Sequence, residues 1–193
     1  MRGEFNGLKA LIVDENSSAY YVHCFAHQLQ LALVAVAKKH LDIVDFFSMI
    51  STMLNVAGGS CKRKDLLRKL QLNKVEQGVS DGVIQTRKGL YQEMSLRRAG
   101  DTRWSSHFKS LMSLVELFSH IIEVLEVVKK EATDSGKKAQ ARGFLRYLRS
   151  FDFAFNLQLM IIVLGITSQL SLALQSKDQD ILNAFALVRV AKR

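Results

Sequence analysis

The sequence predicts a mostly α-helical protein, and three observations carry that prediction. None of the 193 residues is proline, where an average chain of this length holds roughly ten. Proline breaks helix interiors and punctuates loops, so its absence favours long helices. Apolar residues recur at three- and four-residue intervals over most of the chain, the repeat of one helical face. Only Ala19 to Cys24, with two tyrosines and a valine, reads as a strand.

Taken in order, Glu4 to Val13 has helical spacing at Phe5, Leu8, Leu11 and Ile12, and Asp14 to Ser18 is a polar turn. After the strand, Phe25 to Lys39 is helical and ends in Lys38-Lys39, which suits the negative end of a helix dipole. A further helix runs from about Asp42 to Ala57, with Asp42 or a neighbour as its cap, until Gly58-Gly59-Ser60 breaks it. Cys61 to Leu72 is a basic amphipathic helix, and Gln77 to Gln85 a loop rich in Gly and Ser. Arg103 to Glu131 reads as one long helix whose apolar face carries Phe108, Leu111, Val115, Phe118, Ile122, Leu125 and Val128. Thr133 to Gly136 ends it. Lys137 to Ser150 is basic, Phe151 to Gln175 apolar, and Asp178 to Lys192 amphipathic. One strand cannot form a sheet. It either decorates a helical bundle or belongs to a sheet whose other strands lie elsewhere.

Composition narrows the function. An apolar fraction of 48% supports a packed core. Twenty-seven Lys and Arg against 18 Asp and Glu give a net charge of +9, which suits a polyanionic partner such as nucleic acid. Two cysteines, Cys24 and Cys61, make no disulfide framework and point to a reducing compartment. Met1 to Val13 includes Arg2, Glu4 and Lys9, so no signal peptide is expected. The most apolar stretch, Leu157 to Leu174, contains Gln158 and Gln169 and reads as a buried helix rather than a membrane span.

Two islands and two basic helices could carry function. His23, Cys24 and His27 cluster, and a His pair four apart can bind zinc on a helix. No further ligand motif accompanies them, so Cys24 as a small buried residue and His27 as a core histidine is the plainer reading. Asp101-Thr102-Arg103-Trp104 opens the long helix, with Asp101 or Thr102 as cap. Trp104 is either a core residue or a platform for an unstacked base, with Arg103 near a phosphate. The basic helices carry Lys62, Arg63, Lys64, Arg68 and Lys69, and Lys137, Lys138, Arg142, Arg146 and Arg149. Both suit phosphates; neither is interleaved with aromatics in a base-reading pattern. No acidic cluster suited to metal chemistry, Gly-rich phosphate loop or Gly-x-Ser-x-Gly turn is present: Asp14 and Glu15 are adjacent and diverge, and Glu123 and Glu126 project toward a polar helix side.

His23-Cys24-Phe25-Ala26-His27-Gln28-Leu29-Gln30-Leu31 resembles the Cys-x-x-His segment of hAT-superfamily transposases, and Asp101-Thr102-Arg103-Trp104 resembles their downstream Arg-Trp motif. Ser60 to Arg68, between the two, looks like plant proteins described as TTF-type or MYM-type zinc-finger proteins. The resemblance covers nearly the whole chain. It implies an RNase H-like α/β domain interrupted by an all-α insertion. Residues 1–40 would be a partial RNase H-like segment, one helix and one strand. Residues 41–193 would be the helical insertion, incomplete at its C-terminal side.

In that family three acidic residues hold two divalent metals that activate water and a DNA hydroxyl. By resemblance, Cys24 and His27 would lie beside that site, and Arg103 and Trp104 would contact DNA. The catalytic acids are expected to fall outside this chain, so no catalytic residue, no metal ligand and no cofactor is assigned. A divalent metal would enter only in a catalytic full-length parent. The resemblance therefore implies a transposable-element-derived nuclear protein, inactive alone and retaining a DNA-binding surface. Its expected partners are DNA and, through apolar helices, another copy or a protein; neither a membrane nor a small-molecule substrate is expected. The alternative is a helical protein–protein interaction module with no nucleic-acid role.

Overall fold

The structure is a computed structural model that describes residues 7–20, 24–81, 96, 104–176 and 180–192. The described residues are helical almost throughout: α1 (Leu8–Glu15), α2 (Phe25–Ala37), α3 (Leu41–Gly58), α4 (Cys61–Ser80), α5 (Trp104–Glu116), α6 (Phe118–Glu131), α7 (Ser135–Leu148), α8 (Phe151–Ala173) and α9 (Ile181–Ala191). The mostly α class holds, and the lengths follow from a chain with no proline to interrupt them.

The expected strand does not form among the described residues. Ala19, Tyr20 and Cys24 lie in no strand, and Tyr20 is 93% exposed. Tyr21, Val22 and His23 lie outside the described residues. The physical reason is that β-forming side chains do not make a strand by themselves. A strand needs a ladder partner for its backbone groups, and no second run of such residues was found in the sequence.

Two helical boundaries also differ. The loop expected from Gln77 begins later, because α4 runs on to Ser80. There the Ser80 hydroxyl donates back to the Glu76 carbonyl at 3.0 Å. The helix expected over 103–131 is two, parted at Leu117, whose backbone (φ −98°, ψ 13°) leaves the helical region. Hydrogen bonds from Leu117 N to Ser113 O (3.0 Å) and from Ile121 N to Leu117 O (2.9 Å) bridge the kink. The kink also changes the buried face. Leu111, Leu114, Leu117, Ile121, Val124, Leu125 and Val128 are buried, while Val115 is 43% exposed.

The chain divides into two compact units, residues 1–31 with 170–193, and residues 32–169. This division follows compactness and does not coincide with the boundary after residue 40 that the resemblance implies.

In the larger unit α6 is central and packs against α3, α4, α5 and α7, most extensively against α7. Phe46, Ile50, Met53, Leu54 and Ala57 line the inner face of α3, and Ala141, Phe144, Leu145 and Leu148 that of α7. From the part of α8 in this unit, Phe153, Met160 and Leu164 complete the core. Each fully buried side chain of this size contributes roughly 1.5–3 kcal/mol. Lys62 on α4 reaches Glu131 on α6 at 2.8 Å, but both are exposed, and such a pair is worth at most about 1 kcal/mol.

In the smaller unit Ala26, Leu170, Leu174 and Ala184 are buried, with Phe25, Leu29, Leu187, Val188 and Ala191 packed against them. The Asp180 side chain caps α9 by accepting from Asn183 N at 2.7 Å. No residue of α1 is buried.

Candidate nucleic-acid interface

The residues singled out by the motifs do not assemble into one site within either unit. Cys24 and His27 belong to the smaller unit and Trp104 to the larger. Cys24 stands just before α2, with its carbonyl oxygen accepting from Gln28 N at 3.0 Å. The plainer expectation, a buried cysteine and a core histidine, is overturned: Cys24 and His27 are both exposed. The side of α2 carrying Ala26 and Leu29 is the one that packs. Trp104 is the first residue of α5. Its side chain, like Asp101, Thr102 and Arg103, lies outside the described residues. Among the described residues no three His, Cys, Asp or Glu side chains converge as metal ligands.

A different concentration of function-bearing groups emerges along α6 and α7. From Ser135 to Leu148, α7 contains no acidic residue. Arg142 and Arg146, four apart, share one helical face and are exposed. The hairpin of α6 and α7 brings this face to the end of α6. There a groove of about 510 Å³ is lined by Lys129, Arg142, Arg146 and Arg149, with Glu126 as its carboxylate. Among the described residues neither Arg142 nor Arg146 has a carboxylate partner. Glu126 is shared instead: its Oε2 accepts from Lys129 Nζ at 2.6 Å and its Oε1 lies 3.8 Å from Arg149 Nη2. The hydrogen bond from Lys129 holds the Glu126 carboxyl below the usual carboxylate range. Partial burial opposes that shift, and the charges of Lys129, Arg149 and Lys130 add to it.

On the other side of α6, a second groove of about 500 Å³ is lined by Lys62 and Arg63 of α4, Glu131, and Lys137 at the start of α7. Cations at a helix N-terminus oppose the dipole. Lys137 and Lys138 therefore do not serve helix stability, which is supplied there by Asp134, whose side chain accepts from Gly136 N at 2.8 Å. The sequence marked both basic helices. It did not mark Lys129, Lys130 or the placement of Glu126. Their only linear trace is the i, i+3 pair Glu126–Lys129 and the basic last turn of α6.

The apolar surface is the other feature available for contacts. α8, expected to be a buried helix, buries one face only. Phe151, Phe155, Leu159, Ile162 and Ile166 form an exposed stripe at spacings of four, four, three and four. By length and composition alone α3 and α8 are each long and apolar enough to cross a bilayer. In α3, Phe46, Ile50, Met53 and Leu54 line the core, whereas Leu41 and Val44 are exposed.

No protein-family model matches this chain, and no solved structure matches it.

Proposed function

We propose that the chain is a nucleic-acid-binding helical protein that holds the phosphate backbone electrostatically and does not read bases. The observation that carries this reading is the α6–α7 groove, where four cations face one carboxylate. An unbalanced cationic groove raises the local concentration of polyanions and exchanges their counterions on binding. The net charge of +9 works in the same direction. Among the described residues no aromatic side chain lines either groove, which favours contacts to phosphate over stacking on bases.

This reading agrees with the resemblance to hAT-superfamily transposases. Under it, residues 41–193 correspond to the helical insertion and residues 1–40 to the edge of an RNase H-like domain. Arg103 and Trp104 would add contacts to DNA, and the protein would act in the nucleus.

The test is duplex and single-stranded DNA binding by the full chain across a salt series. The expected result is binding that weakens steeply with salt and is indifferent to sequence. The double variant Arg142→Ala with Arg146→Ala should lower the steepness of the salt dependence by about two counterions. Salt-insensitive binding, or none at low salt, would sink the proposal. Cleavage of DNA by the chain with magnesium or manganese would show an enzyme instead.

A second reading has its own observation, the exposed apolar stripe of α8. Stripes of this kind mark protein contacts. A helical interaction module predicts that the double variant Phe155→Asp with Ile162→Asp abolishes association and leaves DNA affinity alone.

A further inference from the structure

The α6–α7 groove contains one negative charge, and its position is informative. The Glu126 carboxylate sits among the cations, accepting from Lys129 at 2.6 Å and facing Arg149 at 3.8 Å. It is half-buried, with 28% of its side chain exposed, whereas Arg149 is 71% exposed. Arg142 and Arg146, on the opposite wall, have no carboxylate partner among the described residues. A carboxylate and a phosphate group present similar oxygen acceptors to lysine and arginine, and arginine matches both. Glu126 therefore already provides, from within the chain, the contacts that a bound phosphate would make.

We infer that the groove is a phosphate-group site in which Glu126 is a built-in competitor, so that ligand binding exchanges the carboxylate for a phosphate at Lys129 and Arg149. The inference rests on the nucleic-acid reading and specifies its chemistry: a phosphodiester or polyphosphate, engaged first by Arg142 and Arg146. Those two arginines meet the incoming anion without having to release a carboxylate among the described residues. Lys129 and Arg149 follow as Glu126 yields them. The arrangement weakens binding but favours ligands that offer several negative oxygens over those that offer one. A lone small anion gains too little to displace an ion pair already formed within hydrogen-bond distance.

The obvious variant is Glu126→Gln, which keeps the shape and removes the charge. Glu123→Gln is its control. Glu123 is exposed on the same helix, outside the groove, and its neutralisation changes the net charge by the same amount. Inorganic tripolyphosphate is titrated calorimetrically into the full chain and each variant at low salt. E126Q is expected to bind about fivefold more tightly than the native chain, and E123Q to change far less. Glu126→Ala is the second variant and should move in the same direction. Arg142→Ala with Arg146→Ala should abolish the heat.

Equal tightening by E126Q and E123Q would overturn the inference, because net charge would then explain both. So would unchanged or weaker binding by E126Q, or no tripolyphosphate binding by any form. Duplex DNA titrated in parallel separates the two proposals. DNA binding that depends on Arg142 and Arg146 but not on Glu126 keeps the nucleic-acid reading and removes the competitor. Tripolyphosphate binding tightened by E126Q, without DNA binding, keeps the competitor and removes the nucleic-acid reading.

Discussion

The ring of Phe153 stacks on that of Phe118, with centroids 6.1 Å apart and planes 16° from parallel. The same Phe153 ring stands 6.2 Å from Phe46 and 5.5 Å edge-on from Tyr147. One side chain near the start of α8 thus joins α3, α6 and α7. Phe153→Ala should destabilise the chain by about 3–5 kcal/mol, because the cavity it leaves is walled by rigid rings. Phe151, two residues earlier and 79% exposed, should tolerate the same change within about 0.5 kcal/mol. Denaturant melts of the two variants check the contrast.

Two glycines should respond to alanine with opposite signs. Gly143 lies inside α7, and a methyl there would meet nothing within 4 Å. Glycine in a helix interior costs roughly 0.5–1 kcal/mol relative to alanine, mostly through the freedom of the unfolded chain. Gly143→Ala should therefore raise the melting temperature. Gly59 follows the end of α3, and its added methyl would stand 2.4 Å from the Asn55 carbonyl oxygen. Backbone must move to admit it, at a cost on the order of 1–3 kcal/mol. Gly59→Ala should lower the melting temperature. Two shifts of the same sign would count against this backbone geometry.

Much of the fold was legible because its signals are local. Lys38-Lys39 and Gly58-Gly59 mark the ends of α2 and α3 to within two residues, since charge and backbone freedom act within a single turn. The break at Leu117 was not legible. Leucine is a good helix former, and nothing in its neighbourhood signals a break at this buried position. At Ala19, Tyr20 and Cys24 the expected strand is absent for the converse reason: propensity is present, and no partner strand is found among the described residues. The site shows the same division. Arg142 and Arg146 are readable as one face from their spacing. The approach of Glu126 to Arg149, 23 positions apart in the chain, is a product of the hairpin and leaves no mark in the sequence.

Asp134 offers a separate test of how α7 begins. In sequence it belongs to the run Thr133 to Gly136 that ends one helix, and in the fold it caps the next. Its carboxylate accepts from Gly136 N at 2.8 Å, satisfying a backbone donor that the helix leaves unpaired. It does so beside Lys137 and Lys138, whose charges oppose the helix dipole. Asp134→Ala should cost about 1 kcal/mol, and Asp134→Asn much less. Hydrogen exchange should show the loss concentrated in the first turn of α7. An Ala variant as stable as the native chain would mean that the cap is dispensable.

Acid should separate the role of Glu126 in folding from its role in binding. Its carboxyl is held below the ordinary value of 4.5, chiefly by the Lys129 hydrogen bond and further by the charges of Lys129, Arg149 and Lys130. A carboxyl with a lowered folded pKa binds protons less readily folded than unfolded. Its stabilising contribution is therefore complete above the unfolded value and is lost as pH falls through the folded one. Glu126→Gln has no proton to bind in either state. The native chain should consequently lose stability more steeply than E126Q below about pH 4.5, and the two should run parallel above pH 6. Urea melts from pH 7 down to pH 3 test this. Parallel curves over the whole range would mean that the Lys129 hydrogen bond is not populated in solution. The groove would then be open to phosphate at neutral pH without any exchange, and tightening of tripolyphosphate by E126Q should vanish with it.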